Sequence, residues 1–494
     1  MIVLSGSVND YKDTHLSGNL DSDIALFKSI FNRDAVLRMR EVLIGGTARC
    51  CLIYMDGMVN SAQQGETVVE ALVESVMPQD FTPSCDYISK NILFANEVSE
   101  TKNLPDMLRA ILYGDTVLIA EKNKTALTIN TKGWRARGIK EPDSERVLQG
   151  PREGFDEAAM FNLAMIRRKL LTPDLCIEMV RIGRRSDTPV FICYLGSLAD
   201  KNTLKELKRR LEKIDIDGIL DSNYIAENIR DCRHSLLKTT GSTERPDIVA
   251  ARLLEGRIAL VVDGTPVVLT LPYLFSENFQ SDEDYYINFT LASLARILRW
   301  LCFFITVSVP GVFVALVTHH FDLLPTHFAL TVSRLRAGVP IASVAECIAL
   351  VFAFEILKEA GLRMPQNLGH ALSVVGGLVV GQAAVEAGII SAPMLIAVAF
   401  SAIAGLMVPR LTSAVFYWRL IIVVCCAALG LYGYLAAVSV FVIRVFSIKS
   451  FGVDYTLSFA RPDFQNLKDS FIRAPWSLMK MRPRFNKNKV RKGD

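Results

Sequence analysis

The chain has 494 residues, 51% of them apolar and 21% charged, with a formal net charge of +4. That length is too great for one ordinary core, and without a folded basic domain the charge balance argues against a nucleic-acid-binding protein. Ten scattered cysteines with no CxxC spacing and six histidines with no metal-ligand spacing argue against a disulfide framework and a zinc site.

The first 290 residues read as an ordinary soluble protein. The opening "MIVLSGSVNDYKDTHLSGN" lacks a basic n-region and a long apolar h-region, so no secretory signal is expected and this half is expected to stay in the cytoplasm. Residues 1–140 form the expected first α/β lobe. Within it "NLDSDIALFKSIF" has apolar residues at helical spacing after a capping residue, "RCCLIYMDGMVN" is a β-type run ending in an Asp-Gly turn, and "LPDMLRAILYG" reads as helix. "DTVLIAEKNKTALTINT" reads as two strands around an Asn-Lys turn. Residues 141–245 form the expected second lobe, with a helix over 155–170 and strands "CIEMVRIG" and "PVFICYL". Neither lobe contains GxGxxG, GxxxxGK[ST], HExxH, GxSxG or EF-hand spacing. No catalytic residue, cofactor or metal is therefore expected.

Residues 246–292 are expected to link the lobes to the membrane. Their clearest feature is "EGRIALVVDGTPVVLTLP", two β-branched runs around Asp263 and Gly264, which suits a turn needing positive φ. Such a hairpin is either a spacer or an element that carries motion from lobes to helices. "SDEDYY" follows, where the acidic cluster Glu277, Asp282, Glu283 and Asp284 adjoins Tyr285 and Tyr286, expected as an interfacial anchor.

Residues 293–447 carry apolar stretches of about 20 residues, the length a bilayer core requires. Spans are expected at about 297–318, with Pro310-Gly311 as a kink or break, at 368–387 and 389–408 as an antiparallel hairpin, and at 420–445. Between the first and second lies "IASVAECIALVFAFEILKEAGLRMP", helical by period but holding Glu346, Glu355, Lys358 and Glu359. It reads equally as a fifth span, a re-entrant helix or an interfacial one. The expected fold class is thus a cytoplasmic α+β region of two α/β lobes followed by an α-helical transmembrane bundle of four to five helices.

Residues 448–494 form a basic tail. From 461 onward it holds ten Lys or Arg against three Asp, which reads as a segment facing lipid headgroups on the cytoplasmic side. Four spans place this tail on the side of the lobes, and five place it opposite. The positive-inside tendency favours four.

The polar groups inside the expected spans are the functional candidates. Gln382 and Glu386 lie at i and i+4 and share a helix face, and Glu355 and Glu359 repeat that spacing one helix earlier. Exposure of an ionised group to lipid at the helix centre costs at least about 2.5–3.5 kcal/mol, so such residues line an aqueous path or a helix interface unless they snorkel or stay protonated. Gly377 and Gly381 form a GxxxG, and Ala384 and Gly388 are expected to continue its small-residue packing face.

Several stretches together resemble the A subunit of the GerA-type spore germinant receptor family: "EPDSERVLQGPREGFDEAAMFNLAMIRRKL" (141–170), "TERPDIVAARLLEGRIALVVDGTPVVLTLP" (243–272), "SDEDYY" (281–286) and "EILKEAGLRMPQNLGHALSVVGGLVVGQAAVEAGIISAP" (355–393). The resemblance implies a multi-pass subunit of the endospore inner membrane with its N-terminal region on the spore-core side. It implies a homo-oligomer that acts as a nutrient-gated channel for monovalent cations, with a permease-like B subunit and a lipoprotein C subunit as partners. Paralogues related to the stage V AF protein share these motifs and would conduct ions without sensing nutrients. A non-conducting scaffold and a secondary transporter are the other classes, the latter disfavoured because no inverted repeat is visible.

Overall fold

The computed structural model describes residues 7–32, 34–77, 83–133, 145, 147, 149–232, 235–363, 381–460, 469–479 and 481–482. The first lobe is a five-stranded antiparallel sheet of β1 (Leu37–Ile44), β2 (Ala48–Met55), β3 (Val98–Thr101), β4 (Thr116–Ala120) and β5 (Ala126–Ile129), in the order β1-β2-β4-β5-β3. Helices α1 (Leu20–Ile30) and α2 (Leu104–Tyr113) cover it. The cap of α1 is Asn19, whose side chain accepts the Asp21 and Ser22 amides, and α2 closes on Gly114 in the left-handed region.

The second lobe repeats this plan. Its strands β6 (Leu175–Ile182), β7 (Thr188–Leu195), β8 (Gly241–Thr243), β9 (Ile258–Val262) and β10 (Val268–Leu271) run in the order β6-β7-β9-β10-β8, with α3 (Ala159–Lys169), α4 (Lys201–Leu211) and α5 (Pro246–Leu254) around them. The hairpin expected to form part of a linker is therefore inside this sheet. β9 pairs with β7 on one side and β10 on the other, and all five of its residues are buried. Continuous apolar character is what a strand covered on both faces requires. The lobes meet through the Asp34↔Ile177 bridge and a buried ion pair between Asp34 and Arg167.

The C-terminal half is helical. α6 (Phe289–Thr318) is one unbroken helix of 30 residues, so Pro310-Gly311 does not interrupt it. Gly311 instead provides room for α10 (Thr412–Leu429), since a Cβ there would lie 2.6 Å from Ile422 Cγ2. Next come α7 (Thr326–Arg336), α8 (Ser343–Arg363) and α9 (Ala392–Gly405). The ambiguous segment is α8, a 21-residue helix that packs against α9, α6 and α10, with Phe352 5.7 Å from Phe416. The stretch expected as one span over 420–445 is divided. α10 ends at Gly430, φ +60°, and α11 (Leu431–Ser447) folds back along it, bringing Trp418 and Phe441 to 5.0 Å.

Among the described residues, 289–318 and 409–429 are long and apolar enough to cross a membrane, and 392–405 and 431–447 are shorter apolar helices. The expected span over 368–387 lies mostly outside the described residues; its last turn, 381–386, is helical. α11 returns to the second lobe, where Ser450 Oγ accepts the Tyr273 amide at 3.1 Å and donates to Thr239 O at 2.7 Å. The outer surface of the bundle carries large apolar side chains, among them Leu294, Ile297, Leu301, Ile396, Phe400 and Leu435.

Candidate functional site

Where the chain leaves β10, two short 3-10 turns, Phe275–Phe279 and Asp282–Tyr285, alternate aromatic and acidic residues. The aromatics go one way. Phe279 stacks on Trp300 of α6 at 3.6 Å between centroids, and Phe275 meets Phe279, Trp300 and Phe303 edge-on. The carboxylates of Glu277, Asp282 and Asp284 go the other way, towards arginines of different elements, and Glu283 accepts the Gln149 amide at 3.2 Å.

Glu277 accepts from Arg257 Nη1 at 2.6 Å and lies 3.0 Å from Arg252 of α5. Arg257, just before β9, also donates to Glu255 at 3.0 Å and to Pro272 O at 2.7 Å. Asp284 sits between Arg296 and Arg299 of α6, at 3.1 Å and 2.9 Å, and Arg296 reaches Asp469 of the tail at 2.8 Å. Arg410, which enters α10, is spread over Glu145 (3.2 Å), Glu277 O (3.3 Å), Asp282 (3.4 Å) and Gln280 O (3.5 Å). Lobe, connector, first and later helices and tail thus meet in three adjoining ion-pair groups, around Glu277, Asp284 and Arg410.

A charge taken out of water costs several kcal/mol unless its partner is well placed, so each element here depends on the others. A displacement of one strips a buried charge in another, which makes the junction suited to transmitting movement. The expected coupling residues sit elsewhere. Asp263 accepts the Ala159 amide at 2.9 Å, and Gly264, φ +90°, donates to Glu157 O at 2.8 Å, so the turn caps α3 at the end of the hairpin away from the junction. The junction end is the Ile258↔Leu271 pair beside Arg257.

A polar cavity of about 500 Å³ adjoins the Arg410 group, lined by Glu145, Lys238, Tyr273, Gln280, Asp282 and Arg410 among others. Burial raises the Glu145 carboxyl, Asp282 adds to the rise and Arg410 opposes it. Burial also lifts the Tyr273 phenol to about 12, where it stays neutral and donates to Asn278. Lys238 is depressed, first by burial and then by Arg230 and Arg410. Tyr285 and Tyr286, expected at a lipid interface, instead donate to the protein carboxylates of Asp469 and Asp247.

The polar candidates of the helices fall into separate groups. Gln382 Nε2 donates to Glu386 Oε1 at 2.9 Å, both exposed. Glu355 pairs with Lys358 at 2.9 Å and approaches Arg419 at 3.8 Å, while Glu359 pairs with Arg363 at 2.7 Å. Gly381 packs near Leu395, and Ala384 is half-buried. Gly388 does not continue that face. With φ +66°, and with Gly388 N bonded to Val385 O and Ile389 N to Ala384 O, it closes the helix in a Schellman motif. Gly377 lies outside the described residues.

One further carboxylate has a role that sequence reasoning missed. Glu346 of α8 is fully buried; Oε1 accepts both the amide and the hydroxyl of Ser391 at 2.6 Å, while Oε2 has no hydrogen-bond partner among the described residues and stands 3.9 Å from Arg336. It caps α9 from a neighbouring helix. Its sequence signal is position: Glu346 falls one turn into an apolar helix that later carries all its other charges.

The model of the Bacillus/Clostridium GerA spore germination protein family matches residues 25–485. Spore germination protein KA of Bacillus subtilis (strain 168) is 38% identical over 97% of this chain and 89% of that protein. Spore germination protein GerLA of Bacillus cereus is 33% identical over 96% and 97%, and the uncharacterized membrane protein YfkQ of Bacillus subtilis (strain 168) 33% over 96% and 93%. The crystal structure of the N-terminal domain of the A subunit of the Bacillus megaterium spore germinant receptor GerK3 matches at 30% identity and a TM-score of 0.39, covering 53% of this chain and 98% of that one.

Proposed function

The chain belongs to the Bacillus/Clostridium GerA spore germination family, and from that premise we propose that it is the A subunit of a nutrient germinant receptor in the endospore inner membrane. In this reading the lobes face the spore core, the helices cross the membrane several times, and copies of the chain assemble into a closed ring around a path for monovalent cations. A permease-like B subunit binds the nutrient and a lipoprotein C subunit completes the receptor. This chain turns the signal into ion release, with the arginine-carboxylate junction as the transmission.

One observation carries the ion-path reading. On a bundle whose outer surface is largely apolar, Gln382 and Glu386 are hydrogen-bonded to each other and exposed. In the last turn before Gly388 a carboxylate facing lipid has to reach out to the boundary, and it is accommodated more readily where a neighbouring copy or an aqueous path faces it.

The test is ion flux. Full-length protein in liposomes is loaded with rubidium and compared with Glu386→Gln combined with Glu355→Gln, with native mass measurement as the control for assembly. Removing two anionic groups at unchanged shape should lower the flux while the oligomer persists. Loss of the oligomer first would make these residues packing contacts. Unchanged flux at normal assembly, or no flux from the parent protein, would leave a non-conducting scaffold as the better reading.

A further inference from the structure

Past the last helix the chain crosses the joint between lobe and bundle. Asp469 binds Arg296 of α6 at 2.8 Å and accepts the Tyr285 hydroxyl at 2.7 Å. Ser293 Oγ of α6 donates to Arg473 O at 3.1 Å and accepts the Arg473 amide at 3.2 Å. Arg482 Nε then donates to Leu254 O, at the end of α5 in the second lobe, at 2.9 Å. The segment is fixed to a helix at one end and to the lobe at the other.

Its outer side is apolar. Phe471 turns inward onto Trp300, 4.8 Å away, but Ile472, Trp476 and Leu478 are each more than half exposed. Single exposed apolar residues need no explanation. Three within seven residues do, the more so because Ser293, which holds Arg473, stands between the exposed Leu291 and Leu294 at the start of α6. The apolar surface of the helix and that of the strap lie side by side. Arg473 covers the Trp476 ring at 5.3 Å, and the sequence from 461 onward holds ten Lys or Arg against three Asp. An exposed tryptophan, aliphatic side chains and excess positive charge are the chemistry of a segment seated at a lipid-water boundary with anionic headgroups.

We propose that residues 469–479 and 481–482 belong to a strap seated on the anionic surface of the bilayer, locking the second lobe to the bundle when lipid holds it down. The proposal rests on the membrane-spanning reading above. Lipid charge would then set how freely the joint moves.

The full-length chain in nanodiscs of phosphatidylglycerol or phosphatidylcholine tests this by hydrogen exchange, α6 serving as the internal reference. The strap amides should exchange about tenfold more slowly in phosphatidylglycerol. Ile472→Asp with Trp476→Asp should abolish the difference, and Trp476→Phe should keep it; all these sites are exposed, so α6 and the lobes should stay protected. Glycerophosphate added to phosphatidylcholine discs should not slow the strap, and protection by it would overturn the bilayer as the ligand. Equal exchange in the two lipids with α6 protected would overturn the strap alone, and equal protection in detergent as well would mean that another protein surface covers it. An unprotected α6 in both lipids would overturn the membrane reading itself.

Discussion

Arg296 and Asp284 form an ion pair 3.1 Å long in which neither side chain has any exposed surface. Asp284 is also the anion for Arg299, so Asp284→Asn leaves Arg299 with a neutral partner and Arg296 with Asp469 alone. The expected cost is about 3–5 kcal/mol of stability, read as a lower unfolding midpoint in detergent. Arg299→Gln should cost less, because Asp284 then keeps Arg296. Equal effects of the two changes would show that the charges act independently.

Glu145 gives the junction a pH dependence of known sign. Its folded-state pKa lies above its unfolded value, chiefly through burial, so ionising it works against the fold. The stabilising contribution is present at low pH and is lost as pH rises through the folded pKa. Glu145→Gln should therefore stabilise the chain at pH 7 relative to wild type, with the gap closing below about pH 4. The difference between the two unfolding curves across pH isolates this group, and a pH-independent difference would refute it.

The α10–α11 hairpin depends on a missing side chain. A Cβ on Gly433 would lie 2.0 Å from the backbone oxygen of Cys425, which cannot rotate away, whereas a Cβ on Gly311 would meet the methyl group of Ile422 at 2.6 Å. Gly433→Ala should cost at least about 3 kcal/mol and Gly311→Ala about 1–3 kcal/mol. Folded yield and thermal midpoint after detergent extraction would show this order, and the reverse order would contradict the packing described.

Glu346 separates hydrogen bonding from charge. Glu346→Gln keeps an acceptor for Ser391 and loses only the distant attraction to Arg336, so the fold should change by less than about 1 kcal/mol. Glu346→Ala leaves the Ser391 amide and hydroxyl unpaired in an apolar bundle and should cost about 2–4 kcal/mol. Similar losses for both variants would assign the role to charge instead.

The two lobes were legible from local patterns, since α2, β4 and β5 emerge directly from periodicity and turn residues. The membership of the 258–271 hairpin was not read, although two signals bore on it. "IALVV" is continuously apolar, and "LPDMLRAILYG" with its two succeeding strands has a counterpart in "RPDIVAARLLEG" and the pair of β-type runs after it. That repeat equates β9-β10 with β4-β5, which lie inside the first sheet. The division at Gly430 was hidden because both arms of the hairpin are equally apolar, so hydropathy sees one run; only its excess length and Gly430 and Gly433 mark a turn. The arginine partners of Glu277, Asp282 and Asp284 were beyond reach, since Arg257, Arg296, Arg299 and Arg410 come from separate places in the chain and only packing selects them.

Ser450 binds the backbone on both sides of the route by which the chain first leaves the second lobe, Tyr273 and Thr239. The outgoing and returning strands are therefore pinned at one spot, and the lobe hangs from the helices as a gate hangs from a hinge with its two leaves screwed together. With the exit towards α6 and the return from α11 meeting at one residue, a displacement of the lobe there is felt by both helices together.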